Sequence, residues 1–274
     1  MVISITGHDH AEDVLELAGD FLESRPVEHN LVLTLLTARA RQPEAGRYWI
    51  AWEDDDPVGV AFWSPSSQPV VVSPMSTGSV QGLVDTLVAE GAGVPGVNGE
   101  ATTAAAFAGH WAERAKVGAR PVMGLRFQLL GQLTEPSGVP GVGRVATATD
   151  AGVVMDFLSA FADFAGQPNL SPDAVDRAIA REAYLLWGVD GRPVCLVGQS
   201  LPVSGVTRIG PVYTPPTERR RGYAGAATAA VAARIVGAGH RCVLFTDLGN
   251  PISNSVYRSL GFSTVMEVLR YSFD

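Results

Sequence analysis

The stretch IGPVYTPPTERRRGYAGAA, from Ile209 to Ala227, decides the fold of this chain. An apolar run ends at Val212 and Tyr213, prolines interrupt it, three arginines follow, and Gly222 opens an Ala-rich segment of helical character. This pattern predicts a strand, a tight loop and a helix N-terminus. Such a junction presents unpaired main-chain N–H groups and the positive end of a helix dipole, which together favour binding of a phosphate or diphosphate.

The spacing of small residues separates this loop from other phosphate-binding loops. It has neither the GxxxxGK followed by Ser or Thr of a Walker loop nor the GxGxxG of a Rossmann turn. It reads Arg219-x-x-Gly222-x-Ala224 directly after a strand. This resembles the R/Q-x-x-G-x-G/A signature of the GNAT superfamily of acyl-CoA-dependent N-acyltransferases. The resemblance implies that the loop binds the diphosphate of coenzyme A.

A second segment, LFTDLGNPISNSVYRSLGF from Leu244 to Phe262, resembles the rest of the same signature, in which a strand precedes N-x-x-S-N-x-x-Y and a closing Gly-Phe. In the family, the strand before the loop and the strand at 242–247 splay apart, and pantetheine lies between them. Pro211 fits this arrangement, because a proline within a strand run marks a break in the ladder. The resemblance implies that Tyr257 is catalytic and that Asn254 bonds the pantetheine amides; the alternatives are a core tyrosine and a surface polar residue. The implied cofactor-binding residues are Val212, Tyr213, Thr214, Arg219, Arg220, Arg221, Gly222, Tyr223, Ala224, Gly225 and Asn254.

The implied reaction is attack of a free amine on the thioester through a tetrahedral oxyanion. A main-chain N–H near Val212 or Tyr213 could stabilise that oxyanion. A phenol such as Tyr257, with a reference pKa of about 10, stays protonated at neutral pH and can protonate a thiolate whose conjugate acid lies near 8.5. The general base stays open among Asp247, Glu182 and Glu100, each of which could equally be a solvated or capping carboxylate.

The composition of the chain limits the binding partners and the cellular compartment that we expect for it. The chain has 274 residues, of which 46% are apolar and 18% charged, as in a globular protein. Its net charge of −8 argues against nucleic acid as the main partner. We expect no membrane segment and a soluble, cytoplasmic protein, because no signal-like N-terminus or run of 18 apolar residues occurs. Cys195 and Cys242 are predicted to be buried reduced thiols, and the histidines show no metal-ligand spacing.

The two halves of the chain repeat one order of elements. Tyr48 and Tyr184 differ by 136 (184 − 48), as do Asp54 and Asp190 (190 − 54). We predict an α/β (α+β) fold of two tandem GNAT-like domains, each a mixed, mostly antiparallel sheet flanked by helices, with splayed central strands in the C-terminal one. The predicted divisions are a degenerate domain at 1–130, a linker at 131–143 and an acetyl-CoA-binding catalytic domain at 144–274.

The predicted function is transfer of an acetyl group from acetyl-CoA to a primary amine of an unidentified small molecule or peptide. One alternative is a non-catalytic acyl-CoA-binding or regulatory module, and another is a generic phosphate-binding α/β protein. Phe161, Phe164 and Trp187 could form an apolar wall of the acceptor pocket, although core packing explains them equally well. The acceptor and the oligomeric state stay open.

Overall fold

The computed structural model describes residues 2–166 and 168–274, and its elements follow one order twice: a strand, two helices, three strands, a helix, a strand, a helix and a strand. The first set is β1 (Ile3–His8), α1 (Ala11–Ser24), α2 (Asn30–Arg41), β2 (Arg47–Glu53), β3 (Asp56–Trp63), β4 (Val70–Val72), α3 (Thr77–Ala89), β5 (Gly96–Glu100), α4 (Ala101–Ala115) and β6 (Ala119–Leu130). The second set is β7 (Val142–Val145), α5 (Ala151–Ala165), α6 (Pro172–Ala180), β8 (Tyr184–Val189), β9 (Arg192–Gln199), β10 (Val206–Tyr213), α7 (Tyr223–Gly237), β11 (Arg241–Asp247), α8 (Pro251–Ser259) and β12 (Phe262–Phe273). The predicted tandem α/β fold is confirmed.

The first compact unit comprises Met1–Phe127, Asp247–Gly249 and Thr264–Asp274. Strands β1 to β5 and β12 run in the order β1-β2-β3-β4-β5-β12; the β4–β5 pair is parallel, and the other pairs described in this order are antiparallel. The C-terminal strand belongs to this sheet, because Val268–Ser272 pairs antiparallel with Gly96–Glu100. Side chains of α3, α4 and the strands form its apolar core, with Phe107 fully buried.

The second compact unit comprises Gln128–Thr246 and Asn250–Ser263. Its strands run in the order β11-β10-β9-β8-β7, and the β10–β11 pair is parallel. One apolar cluster joins α7 and α8 to the strands, and a second joins α5 and α6 to them. Every residue predicted to bind coenzyme A, and Tyr257, belongs to this unit.

The boundaries of these two compact units differ from the predicted divisions at 1–130, 131–143 and 144–274. The predicted divisions follow the two repeats, and they remain a prediction. The segment predicted as a linker is tied to the second unit by main-chain hydrogen bonds from Gly131 N–H to Gly261 O (3.0 Å) and from Thr134 N–H to Leu260 O (3.0 Å). Gly261 has φ of +100°, and a Cβ there would collide with the carbonyl oxygen of Gln132. The closing Gly-Phe pair therefore turns the chain where only glycine fits.

Candidate functional site

The strands β10 and β11 pair over only their first halves. Val206–Ile209 lies opposite Arg241–Leu244, and the parallel pairing described by the structure ends there. After a register shift, β10 continues on β9 through Val212 and Tyr213. Pro211 lies at this shift and has no N–H to contribute to a ladder. The splayed strands expected from the sequence are therefore present, with β10 ending at the loop.

The loop after β10 spans residues 214–222 and turns sharply into α7. It contains a single 3₁₀ turn at Pro216–Glu218 and two residues at positive φ, Arg220 (+63°) and Gly222 (+83°). Gly222 is the N-cap, and the first helical hydrogen bond of α7 runs from Ala226 N–H to Gly222 O at 3.0 Å. A Cβ at Gly222 would lie 2.9 Å from Cγ2 of Val139, so the turn has no space for a side chain.

The main-chain N–H groups of Arg219–Gly225 have no protein acceptor. In the part of the chain that the structure describes, no carbonyl or side-chain oxygen accepts a hydrogen bond from any of them. Arg219 to Gly222 are exposed, whereas Tyr223 is packed in the core cluster beneath them. Unpaired donors at the positive end of a helix favour an anion, so this loop fits a diphosphate.

The equivalent junction of the first repeat uses several of its donors for contacts within the protein. Only residues 73–76 separate β4 from α3, and Ser73 N–H donates to Val60 O at 2.8 Å. Met75 N–H donates to Thr103 Oγ1 at 3.3 Å. The side chain of Ser76 caps α3 by accepting from Ser79 N–H at 3.1 Å. Three donors of this junction, the N–H groups of Ser73, Met75 and Ser79, are therefore already bonded to protein acceptors.

The three arginines of the loop have different environments. Arg219 donates from Nε to Thr214 O at 3.0 Å, and its guanidinium lies 6.0 Å from the ring centroid of Phe164. Arg221 pairs with Glu218 at 3.1 Å. Arg220 is exposed, and within the described residues it has no ion pair. Arg219 therefore shapes the loop, while Arg220 is the cation that is free to meet a ligand.

Tyr257 lies at the end of α8, 8% exposed, with its ring edge-on to Phe262 at a centroid distance of 6.0 Å. Burial raises the pKa of Tyr257, the nearby Cys195 raises it further, and the hydroxyl of Thr228 acts in the opposite direction. The phenol is therefore protonated at neutral pH, as a proton donor must be. Burial also raises the pKa of Cys195 to about 11, with Thr214 opposing the shift.

Asn254 belongs to a buried polar chain within the second unit. Its Oδ1 accepts from Thr246 Oγ1 at 2.6 Å, and Thr246 in turn accepts from Gln128 Nε2 at 2.8 Å. All three side chains are buried. The amide oxygen of Asn254 is thus engaged by the protein, and its contact with pantetheine remains a prediction.

Each carboxylate considered as a general base has a structural partner. Burial opposes ionisation of Glu100, but two N–H groups in the first turn of α4 and the Thr103 hydroxyl bond its carboxylate and lower its pKa overall. Glu182 pairs with Arg234 at 2.9 Å. Asp247 accepts from Gly249 N–H at 2.7 Å. All three carboxylates are therefore engaged by groups of the protein itself.

The aromatic residues predicted to line an acceptor pocket lie in two different environments. Phe164 is 74% exposed beneath Arg219, and Phe161 precedes it on α5, half-buried. Trp187 instead donates from Nε1 to Pro140 O at 3.0 Å and packs against the α7 cluster. Phe157, which the sequence did not single out, contacts Tyr213 at a ring distance of 5.6 Å. Phe157 lies four residues before Phe161 and seven before Phe164 on the same helix. This helical spacing is the sequence signal that could have identified it.

Comparisons with known proteins found one family model and several solved structures that resemble this chain. Residues 189–271 match the family model described as FR47-like protein. An acetyltransferase of the GNAT family from Colwellia psychrerythraea superposes with a TM-score of 0.65 at 11% identity, over 99% of this chain and 100% of that one. A GCN5-related N-acetyltransferase from Sphaerobacter thermophilus gives 0.65 at 16% identity, over 97% and 94%. A tandem GNAT protein from the clavulanic acid biosynthesis pathway gives 0.56 at 12% identity, over 100% and 98%.

No curated protein sequence matches the chain. Identities this low define the fold alone, and the chain shares its fold with these GNAT proteins, one of which is described as a tandem GNAT protein. The resemblance to the GNAT superfamily is confirmed at the level of the fold. Across residues 2–166 and 168–274, no helix combines the length and apolar character needed to cross a membrane.

Proposed function

We propose that this chain transfers an acetyl group from acetyl-CoA to a primary amine of a small molecule or peptide. The observation that carries the proposal is the set of unpaired N–H groups of Arg219–Gly225 at the point where β10 and β11 part. A diphosphate would accept from these donors beside the exposed Arg220, and the extended pantetheine arm would run between the two strands.

The residues around the parted strands have distinct roles in this reaction. The amine nitrogen attacks the thioester carbon, and the developing oxyanion accepts a hydrogen bond from the N–H of Val212 or Tyr213. When the carbonyl re-forms and the C–S bond breaks, the phenol of Tyr257 donates its proton to the departing sulfur. The nitrogen loses its surplus proton to solvent as the amide forms, and the Tyr257 oxygen regains a proton from solvent. Asn254, at the end of its buried chain, contacts the pantetheine arm.

Isothermal titration of acetyl-CoA tests the loop. The native chain should bind with a Kd in the micromolar range, about −8 kcal/mol. Arg220→Glu should weaken binding at least about tenfold, because it replaces the free cation with an anion beside the diphosphate. Arg41→Glu, the same charge change at an exposed position in the first unit, should bind like the native chain. Equal affinity of both variants would contradict the assignment of the loop.

A non-catalytic acyl-CoA-binding module is the second candidate, and one observation favours it: each candidate base is already held by a protein partner. Such a module would bind acetyl-CoA without releasing CoA to any amine. A thermal-shift screen with CoA beside ATP and NAD separates both candidates from a generic phosphate-binding protein. The cytoplasmic location remains a prediction.

A further inference from the structure

The last two residues of β10 direct their side chains to opposite faces of the sheet, because successive residues of a strand alternate. Val212 packs against the cluster that contains α7, α8 and Tyr257. Tyr213 lies on the other face: its ring is 5.6 Å from that of Phe157 on α5, and its strand partner Leu196 belongs to the cluster of α5 and α6. With acetyl-CoA bound as proposed at the N-terminus of α7, the face towards α5 is left for the amine.

The helix α5 carries an aromatic stripe on this side, formed by Phe157, Phe161 and Phe164 at the spacing of one helix face. Exposure rises along the stripe: Phe157 packs against the cluster of α5 and α6, Phe161 is half-buried, and Phe164 is 74% exposed. The core-facing side of α5 is a separate row, which consists of Val154, Leu158 and Ala162. An apolar stripe that leaves the core beside a proposed reaction centre indicates a binding surface.

The charges near the aromatic stripe distinguish between kinds of amine. The sequence of α5 contains two exposed aspartates, Asp156 and Asp163, and no lysine or arginine, so the helix attracts a cation. At the exposed end of the stripe, the guanidinium of Arg219 lies 6.0 Å from the ring centroid of Phe164, and its Nε donates to Thr214 O at 3.0 Å. A second ammonium placed there would meet a like charge, whereas an apolar group would not.

We propose that the aromatic stripe is the acceptor subsite of the acyl transfer proposed above, on which this inference rests, and that its substrate is a monoamine with an aromatic body. The nitrogen lies near Tyr213, where the thioester is attacked, and the ring of the amine packs against Phe161 and Phe164. Seven residues of helix separate Phe157 from Phe164, a rise of about 10 Å, which is long enough for a phenylalkyl group. Aromatic rings in contact stabilise such a complex beyond the area that they bury.

Rates of CoA release from acetyl-CoA, followed with a thiol reagent, test the subsite with three primary amines. These are phenethylamine, ethylamine and cadaverine, which carries a second ammonium in place of the ring. Both cysteines are buried and add little background, because burial raises the pKa of Cys242 to about 12 and that of Cys195 to about 11. The native chain should favour phenethylamine over each of the others by at least about thirtyfold in kcat/KM.

Phe161→Ala and Phe164→Ala should each reduce this preference at least about fivefold, because the contact with the ring of the amine is lost. The kcat/KM for ethylamine and the KM for acetyl-CoA should stay within about twofold. Phe164→Leu, which keeps an apolar side chain, should retain most of the preference. Leu17→Ala, the control at an exposed apolar position of the first unit, should behave like the native chain. Equal losses with ethylamine and phenethylamine, or a native chain that acetylates cadaverine as fast as phenethylamine, would overturn the proposal.

Saturation-transfer NMR of phenethylamine in the presence of CoA, which has no acetyl group to give, measures the subsite without turnover. The native chain should transfer saturation to the ring protons, and Phe161→Ala and Phe164→Ala should each reduce the effect at least about threefold. Binding that depends on these two side chains, without acetyl transfer to any amine, would refute the proposed function while supporting the subsite. No binding of phenethylamine to the native chain would refute the subsite, even if ethylamine is acetylated.

Discussion

Gly222→Ala separates two roles of the loop, its backbone shape and its binding of an anion. Gly222 has φ of +83°, a conformation that costs an L-residue about 1–2 kcal/mol. The added Cβ would also lie 2.9 Å from Val139 Cγ2, so Val139 must move within the cluster that it packs against. The two effects together should destabilise the unit by about 2 kcal/mol, a Tm decrease of about 4–8 °C.

The same change should weaken acetyl-CoA binding about tenfold, because the methyl group displaces the turn that directs the amides of Arg219–Gly225. Gly91→Ala is the matched control: Gly91 has φ of +66° in the first unit, and nothing lies within 4 Å of the added Cβ. It should lower Tm by less than Gly222→Ala and leave the affinity unchanged. Differential scanning calorimetry measures the Tm, and isothermal titration measures the affinity for acetyl-CoA. Unchanged acetyl-CoA affinity in Gly222→Ala would refute the reasoning.

Three further changes have definite expected outcomes. Tyr257→Phe should lower CoA release about a hundredfold while titration shows acetyl-CoA affinity within about twofold of native, because only proton donation is lost. Glu218→Gln should tighten acetyl-CoA binding about two- to fivefold in the same titration, since it frees Arg221 from an exposed ion pair. The bidentate Arg144 contact holds the pKa of Asp150 far below its usual value. The stabilisation is therefore complete above the unfolded pKa of about 3.9 and lost as pH falls. Denaturant unfolding of Asp150→Asn should show a smaller decrease from pH 5 to pH 2 than the native chain, and a loss of about 1 kcal/mol at pH 7 from the weakened helix cap.

The structural features that the sequence predicts correctly are those determined by residues close together in the chain. The strand, loop and helix around Gly222 follow from prolines, glycines and an Ala-rich run, and Ser171 caps α6 because its side chain accepts from Ala174 N–H at 3.3 Å. Pro26 alone is compatible with a helix N-terminus, because proline is common at the first helical position. Residues 26–29 instead form a turn in which Val27 and His29 are buried, so α2 begins at Asn30.

Contacts between distant parts of the chain could not be predicted from the sequence. The pairing of β12 with β5 joins the end of the chain to the first unit, and no local pattern specifies it. Thr246 bonds Gln128, 118 residues away, which is why the buried chain of Asn254 was not foreseen.

Amide resonances of the loop test the central claim most directly. Titrating ¹⁵N-labelled protein with coenzyme A should shift the N–H signals of Arg219–Gly225 at the same ligand concentrations that saturate binding, because these donors would acquire a diphosphate acceptor. Acetyl-pantetheine, which has no diphosphate, should leave them in place. Saturable binding of coenzyme A that moves other resonances while those of the loop stay unchanged would contradict the account.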